Sequence, residues 1–202
     1  MRVTKHEQFI IQFDDAIEEK VYAALIRVFE NFSHTAGLTD KSRYLPDNKT
    51  KYLQMPLKIE EDPNMAKFFT DLIIKCYEAY CEAVPMMLPL TKPSRFDELT
   101  IAKYTAAENH QFDVHADALT HFPRRYISFV MYLNDVEEGG ETVFPLQNVS
   151  VTPKAGSILM FPSGWTHQHY AKSPISCDKY IIAAFANYPI LKSHSDHPDN
   201  QK

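Results

Sequence analysis

The half of the chain from about Phe96 onward consists of short runs of β-branched and aromatic residues separated by turn residues. Eight runs are predicted as strands, near Glu98–Tyr104, Gln111–Asp117, Tyr126–Asn134, Glu141–Phe144, Val149–Thr152, Ser157–Phe161, Thr166–Tyr170 and Lys179–Tyr188. Eight short strands are typical of a β-sandwich or an open barrel. The pattern therefore predicts a mainly β core.

The first 95 residues have helical periodicity instead. After a strand-like run over Gln8–Phe13, Asp14 is a candidate N-cap for a helix that should end before Gly37. A second helix is predicted after Asp62 and Pro63, a cap residue followed by a proline suited to the first turn. Their apolar stripes are Ile17, Val21, Ala24, Leu25, Val28 and Phe32, and then Met65, Phe68, Phe69, Leu72, Ile73, Cys76 and Tyr80.

These segments predict an α+β protein that is mainly β, with N-terminal helices packed on one sheet. Thr35–Pro56 is polar and irregular, and it is predicted to be a long loop or short strands. At 202 residues the chain fits one domain over 1–190, with a helical and loop support region over 1–95 and the β core over 96–190. The polar tail, 191–202, is predicted to be frayed.

Composition and sequence pattern argue against several classes of protein. The net charge of −5 and the lack of a long Lys or Arg run disfavour a general nucleic-acid binder. No segment approaches the length of a membrane span, and Met1–Phe13 does not resemble a secretory signal. Cys76, Cys81 and Cys177 have no CxxC spacing, which suits a reducing compartment. We therefore expect a cytoplasmic protein with neither a nucleic-acid nor a membrane partner.

A His-x-Asp motif gives the first indication of chemistry. In a strand, residues two apart share a face, so His115 and Asp117 would offer an imidazole and a carboxylate to one point, with Asp113 on the same face. A buried carboxylate beside a histidine is costly unless it is paired or binds a metal. If His169 comes from a neighbouring strand, the three form the facial triad that leaves coordination positions open on non-haem Fe(II).

The second histidine ligand is ambiguous from periodicity. His167 and His169 are two apart in one predicted strand, so both would point to the same face. Lys179 opens an apolar run and could extend its amine out of the strand end, but beside three metal ligands it is better explained as an anchor for a carboxylate. The remaining histidines of the folded region are predicted to lie on the surface or in loops: His6, His34, His110 and His121.

With these residues placed, the segment from Leu99 to Tyr188 resembles the prolyl 4-hydroxylase-like group of Fe(II)/2-oxoglutarate-dependent dioxygenases. The ordered pieces of the resemblance are Tyr104, His115 with Asp117, Arg125–Ser128, Met131–Asp135, Glu138–Pro145, Pro153–Ser157, Phe161 with Pro162, His169, and Lys179 with Tyr180.

The resemblance implies a double-stranded β-helix, or jelly-roll, core with Fe(II) bound by His115, Asp117 and His169. His169 is preferred to His167 because its ten-residue spacing to Lys179 matches the family. The cosubstrate 2-oxoglutarate would chelate the iron through its 1-carboxylate and 2-keto oxygen. Its 5-carboxylate would pair with Lys179.

Further roles follow from the same resemblance. Tyr132 would donate a hydrogen bond to the 5-carboxylate, and Tyr104 would line the cosubstrate pocket. Relatives often have a threonine four residues after the basic anchor, whereas this chain has Ala183, so one polar contact is absent or replaced. The other participants would be O2 and, as a reductant, ascorbate.

The implied activity is hydroxylation of a C–H bond, most simply of a prolyl residue in a peptide or protein. Related halogenases have a small residue where this chain has Asp117, which favours hydroxylation. A free amino acid or other small metabolite is the alternative substrate. A non-catalytic jelly roll with a structural zinc or a sugar-like ligand is a further alternative, but closed zinc sites usually have four protein ligands, often thiolates.

Three segments are candidate walls of a peptide groove. They are Thr35–Pro56, which contains Tyr44, the Asp117–Arg124 loop, and Trp165 near His169. Trp165 could equally pack against the mouth of the barrel.

Overall fold

A computed structural model describes residues 1–41, 46–85, 95–97, 99–119 and 121–189 of the chain. The strands in these residues are β1 Arg2–Lys5, β2 Ile11–Asp14, β3 Gly37–Asp40, β4 Lys51–Pro56, β5 Arg95–Phe96, β6 Thr100–Tyr104, β7 Phe112–His115, β8 Arg125–Tyr132, β9 Thr142–Phe144, β10 Val149–Val151, β11 Ile158–Pro162, β12 His169–Ala171 and β13 Lys179–Asn187. The helices are α1 Glu19–Asn31 and α2 Pro63–Ala83.

Two antiparallel sheets form the core. The major sheet has the order β1-β2-β11-β8-β13-β6-β4-β3, with β5 also paired to β13, and the minor sheet has the order β10-β9-β12-β7. All eight predicted strands are present, as β6 to β13. The two-sheet architecture with two helices is the mainly β arrangement expected from the sequence.

The N-terminal region contributes strands as well as helices. The segment predicted as a long loop or short strands contains β3 and β4, and β4 pairs with β6 in the major sheet. At the other edge of that sheet, β1 pairs with β2 and β2 pairs with β11. The division into a support region and a core stays a prediction, and the tail over 191–202 lies outside the described residues.

The predicted cap of the first helix is wrong, whereas that of the second is confirmed. Asp14 ends β2, where it is buried and ion-paired with Arg2 at 2.6 Å and Lys154 at 3.4 Å. A buried carboxylate is stabilised by such cations, so it is not available to cap α1, which begins five residues later. In contrast, the Asp62 side chain accepts hydrogen bonds from two backbone N–H groups at the start of α2.

The major sheet is buried on both faces, and the alternation of its side chains shows how. Along β11, Ile158 and Met160 belong to the apolar cluster that contains Phe29 of α1 and Phe69 of α2. The alternate residue Phe161 belongs to a second cluster between the two sheets. The helices therefore cover one outer face of the major sheet, as predicted, and the other face packs on the minor sheet.

Other expectations concern single residues. All three cysteines are free thiols, with Cys76 and Cys81 buried and Cys177 exposed. His110, which was expected on the surface or in a loop, lies in the loop before β7 but is only 1% exposed, and its Nε2 lies 3.1 Å from a Glu108 carboxylate oxygen. Within the described residues, neither helix is long and apolar enough to cross a membrane.

Candidate active site

Two histidines lie side by side on adjacent strands of the minor sheet. Strands β7 and β12 are antiparallel, and His115 is the register partner of His169. Their ring centroids are 4.3 Å apart. The Phe112 ring stacks on His115 at 3.8 Å, and the Phe161 ring contacts His169 edge-on at 4.7 Å. Aromatic packing on each imidazole therefore restricts its rotation.

Asp117 reaches the two imidazoles from a bend. Strand β7 ends at His115, so the carboxylate does not share a strand face with that residue as expected. It nevertheless lies 3.4 Å from His115 Nε2 through Oδ1 and 3.7 Å from His169 Nε2 through Oδ2. One ligand atom from each of the three residues lies within 4.8 Å of the others. Asp113 is outside this cluster, and its carboxylate accepts a hydrogen bond from the Lys49 backbone.

Hydrogen bonds orient both imidazoles toward the common point. His115 Nδ1 lies 2.8 Å from the Asp113 carbonyl oxygen, and His169 Nδ1 lies 3.1 Å from the His167 carbonyl oxygen. Because a carbonyl only accepts, each Nδ1 carries a proton, and Nε2 is the nitrogen that remains to bind a metal ion. Histidine ligands of metal ions are commonly fixed in this way.

The protonation states also suit a metal ion. Burial lowers the pKa of His169 to about 4, so the ring is neutral near neutral pH. Burial alone would raise the pKa of Asp117, but the His169 and His115 rings and the Ser128 hydroxyl together hold that pKa below its usual range. Two imidazoles and one ionised carboxylate are the ligand set of non-haem Fe(II). The residues present therefore fit the ion that the sequence predicts.

His167 is held outside the cluster. It lies in a 3-10 turn, Trp165–His167, rather than in the strand, so it does not share a face with His169 as expected. Its Nε2 lies 2.7 Å from the Gln8 carbonyl oxygen. The structure thus brings together the three predicted ligands and gives His167 a supporting position, through the carbonyl group that orients His169.

A cavity of about 470 Å³ opens beside the three residues. Lys41, Tyr52 and Gln54 line it from the N-terminal region, and Leu119, His121 and Phe122 line it from the loop after Asp117. Both segments were predicted as walls of a groove. Trp165 is 71% exposed and is not among the lining residues, and Tyr44 lies outside the described residues.

Arg125 fixes another part of the cavity wall. Its guanidinium lies 3.7 Å from the ring centroids of both Phe122 and Phe185. Its Nε donates to Asp97 at 2.7 Å, and Asn187 donates to the other oxygen of that carboxylate. This wall is therefore held by both stacking and charge.

Lys179 lies next to the cavity. It is 1% exposed, its Nζ donates to the Gly140 carbonyl oxygen at 2.8 Å, and it lies 4.6 Å from the ring centroid of Tyr104, a lining residue. Burial lowers the pKa of Lys179 to about 7, while Glu141 opposes that shift. No carboxylate in the described part of the chain forms an ion pair with it. This amine is thus available to an anion.

Tyr132 does not line the cavity, but its hydroxyl lies against the hydroxyl of a residue that does. It is fully buried, and its hydroxyl lies 2.8 Å from Thr142 Oγ1, which lines the cavity together with Ala183. Burial raises the pKa of both Tyr132 and Tyr104, so their hydroxyls stay protonated. Sequence reasoning missed Thr142, although it belongs to the Glu138–Pro145 run. The Thr142 hydroxyl supplies a polar group to the cavity wall, whereas the side chain of Ala183 supplies none.

The two neighbouring histidines should differ in their effect on metal binding. We expect His169→Ala to weaken Co(II) binding by more than about 100-fold, because it removes a ligand. Loss of a residue that only supports a ligand usually weakens metal binding by about 10- to 100-fold. His167→Ala keeps the carbonyl that orients His169, so its Co(II) affinity should stay within a few fold of wild type. Anaerobic titration would measure both. The opposite order would show that His167 is the ligand.

Comparison with known proteins finds a family model that matches the segment containing the site. Residues 99–187 match the family model of the 2OG-Fe(II) oxygenase superfamily. The chain is also 31% identical over 101 residues to the rat 2-oxoglutarate and iron-dependent oxygenase domain-containing protein 3. That alignment covers 48% of this chain and 32% of the rat protein. The chain thus spans about a third of the length of the curated relatives from rat and mouse.

Solved structures agree on the fold. A viral collagen prolyl hydroxylase from Paramecium bursaria Chlorella virus-1, in complex with 2-oxoglutarate, superposes with a TM-score of 0.63 at 18% identity, covering 89% of this chain and 96% of that one. A Trichoplax adhaerens prolyl hydroxylase, in complex with a hypoxia inducible factor peptide fragment, gives 0.70 at 15% identity, covering 90% and 84%.

These likenesses confirm the predicted jelly-roll core with its helical flank. The three-residue cluster, its cavity and the buried lysine all lie in or beside the segment that the family model matches. The segment over residues 99–187, which contains the three-residue cluster, is thus similar to the 2OG-Fe(II) oxygenase superfamily.

Proposed function

We propose that this chain is an Fe(II)- and 2-oxoglutarate-dependent dioxygenase that hydroxylates a C–H bond of a prolyl residue in a peptide or protein. One observation carries the proposal: His115, Asp117 and His169 converge beside an open cavity, and the buried Lys179 packs on Tyr104, which lines that cavity. Three ligands leave positions for a chelating cosubstrate and for O2.

The metal-binding part of the proposal follows from the ligand geometry. His115 and His169 would bind Fe(II) through Nε2, and Asp117 through a carboxylate oxygen. When bound, the iron supplies O2 activation coupled to oxidative decarboxylation of 2-oxoglutarate to succinate and CO2. The chain itself orients the imidazoles through their Nδ1 hydrogen bonds, keeps the carboxylate ionised and packs an aromatic ring against each imidazole.

The cosubstrate part depends on Lys179. Its buried amine forms no ion pair with a carboxylate of the described residues, so the far carboxylate of a dicarboxylate would pair with it. Because the pKa of Lys179 is about 7 in the free protein, binding of that carboxylate would draw a proton onto the amine. Tyr104 would pack beside the cosubstrate, and Thr142 would present its hydroxyl, which Tyr132 orients.

The substrate part is supported by the structural relatives and by the cavity. The two prolyl hydroxylases reported above share the fold, and one of them is in complex with a peptide. In this chain the cavity extends beyond the metal ligands to Tyr52, Leu119 and Phe122, which are apolar surfaces suited to a prolyl side chain. Ascorbate as a reductant belongs to the proposal, and a cytoplasmic location stays a prediction of the cysteine pattern.

The direct test is oxygen transfer to peptide. We expect proline-containing peptides to gain one oxygen by mass spectrometry, with one succinate formed per hydroxylation, when Fe(II), 2-oxoglutarate, O2 and ascorbate are present. Asp117→Ala should lower turnover by at least about 1000-fold, since a ligand is lost and the metal's contribution disappears. Asp113→Ala is the matched control, because this carboxylate lies two residues before His115 and outside the cluster.

Three outcomes would count against the proposal in different ways. Unchanged turnover in Asp117→Ala would remove the metal assignment. Succinate formed without any modified peptide, but with an oxidised amino acid or metabolite, would replace the substrate class. A full complement of zinc that 2-oxoglutarate does not perturb would replace the activity with a structural metal site.

The affinity for 2-oxoglutarate should depend on pH through Lys179. The folded pKa lies near 7, so above that value the amine must gain a proton to bind a carboxylate, and the dissociation constant should rise about tenfold per pH unit between about pH 7.5 and about pH 9. Lys179→Arg stays charged throughout and should show a flat profile. Calorimetric titration of the Mn(II)-loaded protein would measure it. A flat profile for the wild type would contradict this role of the amine.

A further inference from the structure

We propose that Ser128 is a positioning residue that restricts Asp117 to one metal-binding oxygen, and that Ser163 fixes the orientation of Ser128. This inference rests on the metal site of the proposed function, although not on its substrate. Ser128 entered the sequence analysis only as the last residue of the Arg125–Ser128 run, with no role of its own, Ser163 did not enter it, and neither serine lines the cavity. Both are buried, with exposures of 0% and 1%.

The contact joins the two sheets of the core. Ser128 lies on β8 of the major sheet, whereas the histidines of the cluster lie on β7 and β12 of the minor sheet. Its Oγ lies 2.6 Å from Asp117 Oδ2, a short distance typical of a hydroxyl that donates to a carboxylate. The bend that contains Asp117 is thereby hydrogen-bonded to the major sheet.

Counting protons fixes the direction of the chain of hydrogen bonds. An ionised carboxylate only accepts, so the single proton of the Ser128 hydroxyl is committed to Asp117. Ser163 Oγ lies 2.8 Å from Ser128 Oγ, and Ser163 must therefore be the donor in that bond. The result is a relay from Ser163 through Ser128 to the carboxylate, in which each hydroxyl has one orientation.

The backbone of Ser163 holds the same bend. Its carbonyl oxygen accepts from the Ala118 N–H at 2.9 Å, directly after Asp117, and its own N–H donates to the Tyr126 carbonyl oxygen at 3.1 Å. Ser163 thus fixes both the peptide beside Asp117 and, through Ser128, the carboxylate. Two independent connections position one metal ligand.

The two oxygens of Asp117 therefore differ. Oδ2 accepts the short hydrogen bond from Ser128, while no hydroxyl or backbone donor in the described residues binds Oδ1, which lies 3.4 Å from His115 Nε2. A carboxylate that binds through both oxygens would occupy one of the positions that the facial triad leaves open. By engaging Oδ2, Ser128 favours binding through Oδ1 alone and keeps that position available to the cosubstrate.

The test compares Co(II) binding among serine variants without 2-oxoglutarate. We expect Ser128→Ala to weaken Co(II) binding by about 10- to 100-fold and to change the visible d–d spectrum, because binding through both carboxylate oxygens changes the set of ligands around the metal. Ser128→Thr keeps the hydroxyl and should retain the wild-type spectrum. Ser157→Ala is the matched control, because Ser157 is also fully buried but donates to the Lys154 carbonyl oxygen instead.

A thermodynamic cycle tests the relay. Ser163→Ala should weaken Co(II) binding by only a few fold, since Ser128 keeps its proton for Asp117. In a Ser128→Ala background the same change should have no further effect on affinity, because the relay is already broken. Full additivity of the two changes would show that the serines act separately, through packing.

The outcomes separate this inference from the proposed function. If Ser128→Ala binds Co(II) within twofold of wild type and with the same spectrum, the positioning role is wrong whatever the activity. If the spectra change as expected but no peptide is hydroxylated, the positioning role stands and the proposed reaction fails. Should Ser128→Thr misfold, the Ser128→Ala and Ser157→Ala spectra still decide the question.

Discussion

The register between β7 and β12 is the constraint on which the site depends. It places His115 directly opposite His169, and the bend after β7 then returns Asp117 to the same point. A slip of one residue would turn one imidazole to the other face of the sheet and destroy the cluster. Phe112 stacks on His115, and Phe161 contacts His169 edge-on. These aromatic contacts stabilise the register.

The site concentrates charge that the described residues do not neutralise. Asp117 is ionised and largely buried, yet no lysine or arginine in the described chain pairs with it. Lys179 is buried against a carbonyl group and an aromatic ring, and it forms no ion pair with a carboxylate of the described residues. Buried charges without partners cost stability and are typical of functional sites. A divalent cation would pair with Asp117, and a dicarboxylate would pair with Lys179. Binding of both would therefore increase the stability of the folded protein.

Much of this could be predicted from the sequence, since the signals were local. Alternating apolar residues gave the eight core strands, and Asp62 before Pro63 gave the start of α2. The spacing of the histidines, Asp117 and Lys179 indicated a cluster, and the structure brings the three proposed ligands together.

What could not be predicted depends on long-range pairing. Asp14 had the composition of a cap, but its distant partner Lys154 makes it a buried ion-pair residue instead. The two-residue spacing of His167 and His169 suggested one strand, whereas the chain turns between them. Ser128 has the same local pattern as any serine in a β-strand, and its role becomes visible only when the two sheets are packed.

The most direct measurement of the central claim is the visible absorption of the anaerobic Fe(II) protein during titration with 2-oxoglutarate. A keto acid that chelates Fe(II) produces a metal-to-ligand charge-transfer band, which requires that the three protein ligands leave two adjacent positions free. We expect a saturable band with one 2-oxoglutarate per chain in the wild type, and no band in His169→Ala. A wild-type protein that binds Fe(II) but shows no band would contradict the account.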